Sequence, residues 1–446
     1  MDLTSRLRGI VGGTPPRREQ DGAARPLREL TYEPDDGYRQ AAPLDLDRVA
    51  DALSGRRVSN RYGECLVIDR RYEAERWHGG VRIGECELGD LDSLRVLDPT
   101  LPAGAGCAPS KERAIFIDLE TTGLSGGAGT LAFLVGCGYF DLGAFHVRQF
   151  LLPGHSSERA LLAAVAEFLD DAGLIVTYNG KTFDVPVMET RWSFHRLDMP
   201  AIGGDDGVPH FDMLHTARRL WKKSEADDDG CRLSTLERKL FDVHRVGDVP
   251  GFEIPGRFFG FVRSGDARPL EPVLEHNRID LVSLAAVTAR AMNLARQGHE
   301  GCADNAEALA LGRIYERAER FALAEACYRR AARSSNPFTR ADALYRLGIR
   351  LRRERRFNDA AAVWRELMQH TDPSTMRRGV LGDLRQVAVE ALAIHHEHRA
   401  KDLAGARELA LASLDECDDG RAESVRHRLA RLDRKLGRRS DAQLFG

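Results

Sequence analysis

The sequence predicts a mixed α/β domain in the middle of the chain, followed by an all-α repeat domain. Three observations carry this. The run 114–118 is apolar (Ala114, Ile115, Phe116, Ile117) and closes on Asp118, the pattern of a buried strand reaching a polar edge. Further strand-like runs at 131–140, 144–152 and 174–178 flank a segment, 158–170, with Leu161, Leu162, Val165, Phe168 and Leu169 at helical spacing. Beyond residue 305, a pattern of small and aromatic residues recurs after 36 positions.

The first strand carries chemistry at its end. Asp118 and Glu120 are one residue apart, so on a strand they share a face. Two adjacent carboxylates repel and are costly to bury without positive charge between them. A hard divalent cation answers that need, and Mg²⁺ favours a few carboxylates with water and phosphate oxygens. The next strand runs through Tyr178-Asn179-Gly180 into Asp184, and Pro186 suits the first turn of a helix over 186–195. A further helix, 234–240, has Ser234 and Glu237 at capping-box spacing. A long helical pattern over 273–294 places His276 and Asp280 four apart on one face.

These three motifs together resemble those of the DEDD-type 3′→5′ exonucleases, which carry a ribonuclease-H-like fold. The stretch Tyr-Asn-Gly-Lys-Thr-Phe-Asp-Val-Pro is most similar to the proofreading domains of B-family DNA polymerases. The layout is similar to the bacterial YprB-type family, which pairs this domain with a helical-repeat tail. The resemblance covers roughly 112–295. It implies Asp118, Glu120, Asp184 and Asp280 as ligands of two Mg²⁺ or Mn²⁺ ions, clamping an in-line displacement at about 3.5–4 Å separation. It also implies an aromatic or imidazole helper of the attacking water. The family places Tyr four before the last Asp, or His five before it. This chain has His276 in the first position and Glu275 in the second, so it matches neither subclass. His276 is the candidate base, and a supporting role beside Asp280 is the alternative.

Other residues are candidates for substrate contact. Asn179 can position a phosphate or close an Asx turn, and Thr121 and Thr122 can meet a terminal nucleotide or cap a turn. The segments 248–251 and 254–259 read as a loop over the site, with Arg257 as a phosphate contact. The Gly-rich run 125–130 lacks the Lys-Ser/Thr of a phosphate-binding loop and reads as a hairpin. Asp212 closes another strand but fits the second motif less well than Asp184, and His210 and His215 read as structural.

Residues 1–30 predict disorder, and 31–111 a small β-containing extension. The catalytic domain is expected over 112–298 and tetratricopeptide-like repeats over 305–446; an unrelated bundle is the alternative. Eight cysteines without a Cys-x-x-Cys pair argue for reduced thiols and against a zinc ribbon. With no signal-like start and no long apolar run, the expected location is cytoplasmic. Net charge is −3, yet residues from 301 onward hold 28 basic against 22 acidic side chains, and the remainder 37 against 46. Arginine runs at 350–356 and 431–439 could form a phosphate-binding face or simply solvated helix surfaces. The expected function is metal-dependent 3′→5′ exonuclease action on single-stranded DNA or RNA ends, with a protein partner on the repeats. The alternative is an inactive nucleic-acid-binding or scaffold protein that keeps the fold.

Overall fold

The apolar runs pair into one sheet whose central strand is the one bearing the two carboxylates. The computed structural model describes residues 44–89, 91–102, 113–123, 129–204, 207–222, 231–371, 379–416 and 419–444. The disorder expected for 1–30 and most of the Gly-rich run lie outside them. Helix α1 (Leu46–Ala52) leads into a hairpin of β1 (Arg56–Asn60) and β2 (Gly63–Tyr72). A ribbon of β3 (Trp77–His78) and β4 (Val81–Arg82) and helix α2 (Asp92–Leu97) follow. Then come β5 (Arg113–Thr121), β6 (Ala132–Asp141), β7 (Ala144–Leu151), α3 (Glu158–Leu169), β8 (Ala172–Thr177), α4 (Asp184–His195), β9 (His210–Asp212) and α5 (Met213–Trp221).

The sheet has seven strands in the order β1-β2-β7-β6-β5-β8-β9. β5, β8 and β9 run parallel, and the remaining neighbours pair antiparallel. The N-terminal extension is therefore part of the sheet, with Leu66 of β2 opposite Leu151 of β7. Parallel β5 and β8 end at the same edge, where open α/β sheets hold their ligands. Both faces are covered. Ile115, Ile117, Phe133 and Val135 pack with α3 and α4 residues such as Leu161, Val165 and Trp192. Phe116, Leu174 and Val176 pack with Leu281, Leu284 and Ala285.

Those last residues belong to a 27-residue helix, α8 (Glu271–Gln297), which follows α6 (Leu233–Phe241) and α7 (Ile254–Ser264). The capping box expected at the start of α6 is absent. The helix begins at Leu233, its cap Arg232 makes no side-chain cap bond, and Glu237 is buried and turned inward to Arg245. Charge-assisted bonds to a buried arginine outweigh a surface cap. Likewise α4 starts at Asp184, two residues before Pro186.

The tail is all helical: α9 (Asn305–Arg317), α10 (Phe321–Ala331), α11 (Pro337–Arg353), α12 (Phe357–Gln369), α13 (Val380–His395), α14 (Leu403–Glu416) and α15 (Asp419–Leu444). Its repeat has a packing cause. A Cβ at Gly312 would lie 2.6 Å from the Tyr328 ring, and one at Gly348 2.6 Å from the Trp364 ring. Both pairs are related by the 36-residue offset. Several arginines of the two runs are engaged within the molecule. Arg350 meets Glu354 and lies over Phe321, Arg356 meets Glu325 and Asp359, and Arg431 with Lys435 holds the buried Glu397. No helix among the described residues is long and apolar enough to cross a membrane.

The sheet domain and the tail share one core. Trp221 of α5 donates from Nε1 to Glu307 of α9 at 2.8 Å, and Arg290 of α8 meets the same carboxylate at 3.0 Å. Tyr315 donates to the Ala295 carbonyl at 3.0 Å. A chain ending at Gly301 exposes Trp221, Leu294 and the second half of α8. It is expected to unfold at lower temperature than the full chain in scanning calorimetry. An unchanged midpoint would mean that α9 adds nothing to the sheet domain.

Candidate active site

Each acidic motif reaches the same sheet edge from a different element. Asp118 and Glu120 stand on the last half of β5, where the pairing with β6 shifts register between Glu120 and Thr121. Asp184 opens α4, and its Oδ1 accepts a bond from the Leu119 backbone N–H at 3.1 Å, tying the second motif to the first. The turn before it is held by Asp212, which accepts from the backbone N–H groups of Asn179 (2.8 Å) and Lys181 (3.0 Å) as well as capping α5. Asp212 is thus the organiser of the β8–α4 turn. Asn179 takes a left-handed backbone (φ 70°), and its side-chain oxygen accepts from Thr182. The neighbouring Gly180 is required because a Cβ there would sit 2.3 Å from Thr177 Oγ1.

Asp280 and His276 arrive on α8. Asp280 Oδ1 lies 2.5 Å from Arg245 Nη2, and its Oδ2 lies 3.4 Å from His276 Nε2. His276 Nδ1 is 2.6 Å from Asp248 Oδ1. Arg245 is itself clamped by the buried Glu237 through two bonds of 2.6 and 2.9 Å, and touches Asp248 at 3.3 Å. Burial works against the charge on Arg245, but hydrogen bonding to Glu237 and the charges of Asp280 and Glu237 keep it firmly protonated.

The carboxylates feel one another. Burial, then Asp280, Glu120 and Asp184, push Asp118 well above the usual carboxylate range, and the Asn277 hydrogen bond opposes this. Burial, then Asp280, Asp184 and Asp248, raise Glu120 likewise. Burial pushes Asp184 up to about 7 against the help of its backbone bonds, with Asp212 adding to the rise. Crowded, raised carboxylates with all-oxygen donors are the chemistry a hard divalent cation relieves. The donor set therefore fits Mg²⁺ or Mn²⁺. Among the described residues no three acidic, His or Cys side chains are gathered closely enough to hold an ion as they stand. Asp280 is engaged by Arg245 and His276.

One partner of the site escaped the sequence. Asn277 is fully buried and donates from Nδ2 to Asp118 Oδ2 at 2.8 Å and to its carbonyl at 3.1 Å. Gln149 of β7 holds the Asn277 oxygen at 2.8 Å, and Arg278 reaches the Gln149 oxygen. Gly136 of β6 makes the space, since a Cβ there would lie 2.2 Å from Asn277 Oδ1. An Asn beside His276 carried no signal of its own, because the pocket that receives it is built by β6 and β7.

The expected substrate contacts have local partners. Thr121 donates to the Gly123 carbonyl, and Thr122 accepts from the Leu131 N–H, so both are engaged locally at the end of β5. Arg257 on α7 meets Glu253 at 3.2 Å and the Pro269 carbonyl at 3.4 Å. His210 bonds Thr177 and stays neutral, its pKa lowered by burial to about 4.

Two comparisons bear on this arrangement. Residues 115–292 match the model of the RNase_H superfamily, a span that begins on β5 and ends within α8. Over 376 residues the chain is 30% identical to the uncharacterized protein YprB of Bacillus subtilis (strain 168), covering 83% of this chain and 86% of that protein. The chain belongs to the YprB family. Its RNase H-like domain supports a nuclease at the coarse level and a nucleic-acid substrate.

Two outcomes follow from the geometry. Gly136→Ala in this YprB-family protein must displace Asn277 or bend β6. It is expected to cost about 1–3 kcal/mol in denaturant unfolding, and a loss below a few tenths would show that Asn277 is not held there. The second concerns pH. A folded pKa of about 7 for Asp184, above its unfolded value, means the folded state keeps the proton longer. The stability tied to that proton is full below the unfolded carboxylate pKa and is lost as pH rises through about 7. In chelator, Asp184→Asn should therefore gain stability relative to the parent between pH 5 and 8, read as the difference in melting temperature. A pH-independent difference would contradict the raised pKa.

Proposed function

We propose that this protein is a metal-dependent 3′→5′ exonuclease acting on single-stranded ends of DNA or RNA. The observation that carries the reading is the meeting of Asp118, Glu120, Asp184 and Asp280 from β5, α4 and α8, close enough that Asp280 and Asp184 add to the burial that raises the pKa of both Asp118 and Glu120. Two divalent ions, held by these four carboxylates, would supply an activated water and charge neutralisation at the leaving 3′-oxygen. The chain's own residues do the rest. Asn277 fixes the rotamer of Asp118, the Leu119 N–H fixes Asp184, and His276 stands beside Asp280 to accept a proton from the attacking water. Asn179, Thr121, Thr122 and Arg257 are the proposed strand contacts. A cavity of about 460 Å³ bordered by Asn179, Tyr178, Arg218, Lys222 and Arg232 offers cationic walls to the incoming phosphates.

The domain limits 112–298 and 305–446 belong to the same proposal, with the tail as tetratricopeptide-like repeats that hold a protein partner or guide the strand. A cytoplasmic setting accords with the buried thiols of Cys65, Cys86, Cys137, Cys302 and Cys327. One observation favours a second reading, a non-catalytic nucleic-acid-binding protein: Asp280 already has an internal cation in Arg245.

End-labelled DNA and RNA strands with Mg²⁺ or Mn²⁺ separate the two. The exonuclease reading expects stepwise loss from the 3′ end, blocked by a 3′-phosphorothioate and abolished by Asp118→Asn or Asp184→Asn. His276→Ala is expected to slow turnover by roughly 10²–10⁴-fold. Binding without digestion in the parent protein supports the second reading instead.

A further inference from the structure

We propose that Asp248 is the positioning residue of His276, fixing the imidazole so that Nε2 faces the carboxylate cluster. The proposal deepens the nuclease reading and rests on it only for its activity arm.

The geometry begins with Glu237, which is buried on α6 and accepts bonds from Arg245 Nε at 2.6 Å and Nη2 at 2.9 Å. A bidentate pair fixes the guanidinium plane. Ser283 of α8 also donates to Glu237, and His78 of β3 lies 2.8 Å from Ser283 Oγ, so the anchor is tied to two further elements. With its plane fixed, Arg245 reaches Asp248 Oδ2 at 3.3 Å and Asp280 Oδ1 at 2.5 Å. Asp248 is left with Oδ1 toward His276 Nδ1 at 2.6 Å, and that same Oδ1 also accepts from the Val249 N–H at 2.9 Å. Its carboxylate is thus held from three sides and has little freedom to turn.

The consequence for His276 is a choice of ring face. The Asp248 carboxylate accepts the N–H of Nδ1 at 2.6 Å, a shorter contact than the 3.4 Å between Nε2 and Asp280 Oδ2, so the neutral ring keeps its lone pair on Nε2, the same logic by which an oriented carboxylate selects the imidazole tautomer in other catalytic sites. Nε2 points to Asp280, 3.4 Å away, and so toward the edge where β5 and α4 deliver their carboxylates. This explains how a histidine one helical position away from the family's usual one can serve. The loop carrying Asp248, absent from the three motifs, supplies the orientation.

The test has two arms. In metal-free full-length protein with ¹⁵N-labelled histidine, long-range ¹H–¹⁵N spectra at alkaline pH report the tautomer of His276, assigned by its absence in His276→Gln. The expected parent form is Nδ1–H. Asp248→Asn keeps an accepting oxygen and should preserve it, while Asp248→Ala should populate Nε2–H. An Nε2–H form in the parent, or no change in Asp248→Ala, overturns the proposal. In the activity arm, Asp248→Ala should lower kcat by about 10–100-fold with KM little changed, Asp248→Asn should recover most of it, and Asp248→Ala with His276→Ala should be no slower than His276→Ala alone. Multiplying losses in the double variant would assign Asp248 an independent role and overturn the positioning claim. A parent protein that digests no strand overturns the nuclease reading, while the spectra still decide the orientation of His276.

Discussion

Repulsion among the carboxylates at one sheet edge is the constraint that shapes the rest of this molecule. Burial first, then the charges of Asp280, Glu120 and Asp184, raise the proton affinity of Asp118, and burial with Asp280 and Asp184 does the same for Glu120, so the side chains around them must be held in place. Three of the four have a fastener of their own. A backbone N–H holds Asp184, a buried amide holds Asp118, and an arginine holds Asp280. None of these fasteners cancels the whole charge. The site is therefore left with the negative excess that an RNase H-like nuclease needs for cations.

The two polar paths behind the cluster differ in kind. The Asn277–Gln149–Arg278 path is almost wholly buried and neutral at its centre, so its value lies in geometry. Losing one member would strand the others' donors and acceptors away from water, a cost of about 1–3 kcal/mol for a neutral group. The Glu237–Arg245–Asp280 path carries full charges with little exposure, and a buried arginine stripped of its partner is penalised more heavily, by about 3–5 kcal/mol. Substitution is thus expected to cost less at Gln149 than at Glu237.

How much of this could be read from the sequence follows from the range of each interaction. The strands of the middle domain and α8 were legible, because apolar alternation and helical spacing are local. The three acidic stretches were picked out by their resemblance to the motifs of the DEDD-type exonucleases. Asn277 was not, since its meaning depends on Gly136 and Gln149, more than a hundred positions away. Glu237 was misread: its spacing from Ser234 matched a cap, and only the fold brings Arg245 to it. The substrate contacts expected of Thr121, Thr122 and Arg257 were named from position, and the structure gives each a nearby partner of its own.

The tail is bound into this account through α8. That helix delivers His276, Asn277 and Asp280 from its first half, and its second half is covered by α9 and the Tyr315 hydroxyl. Glu307 then gathers Trp221, Arg290 and the Ala303 N–H on one carboxylate, joining α5, α8 and α9 at a single buried point. A helix gripped at one end and functional at the other is a rigid lever of packed residues. Packing of α9 on the second half of α8 thus anchors the same helix that carries Asp280 and His276.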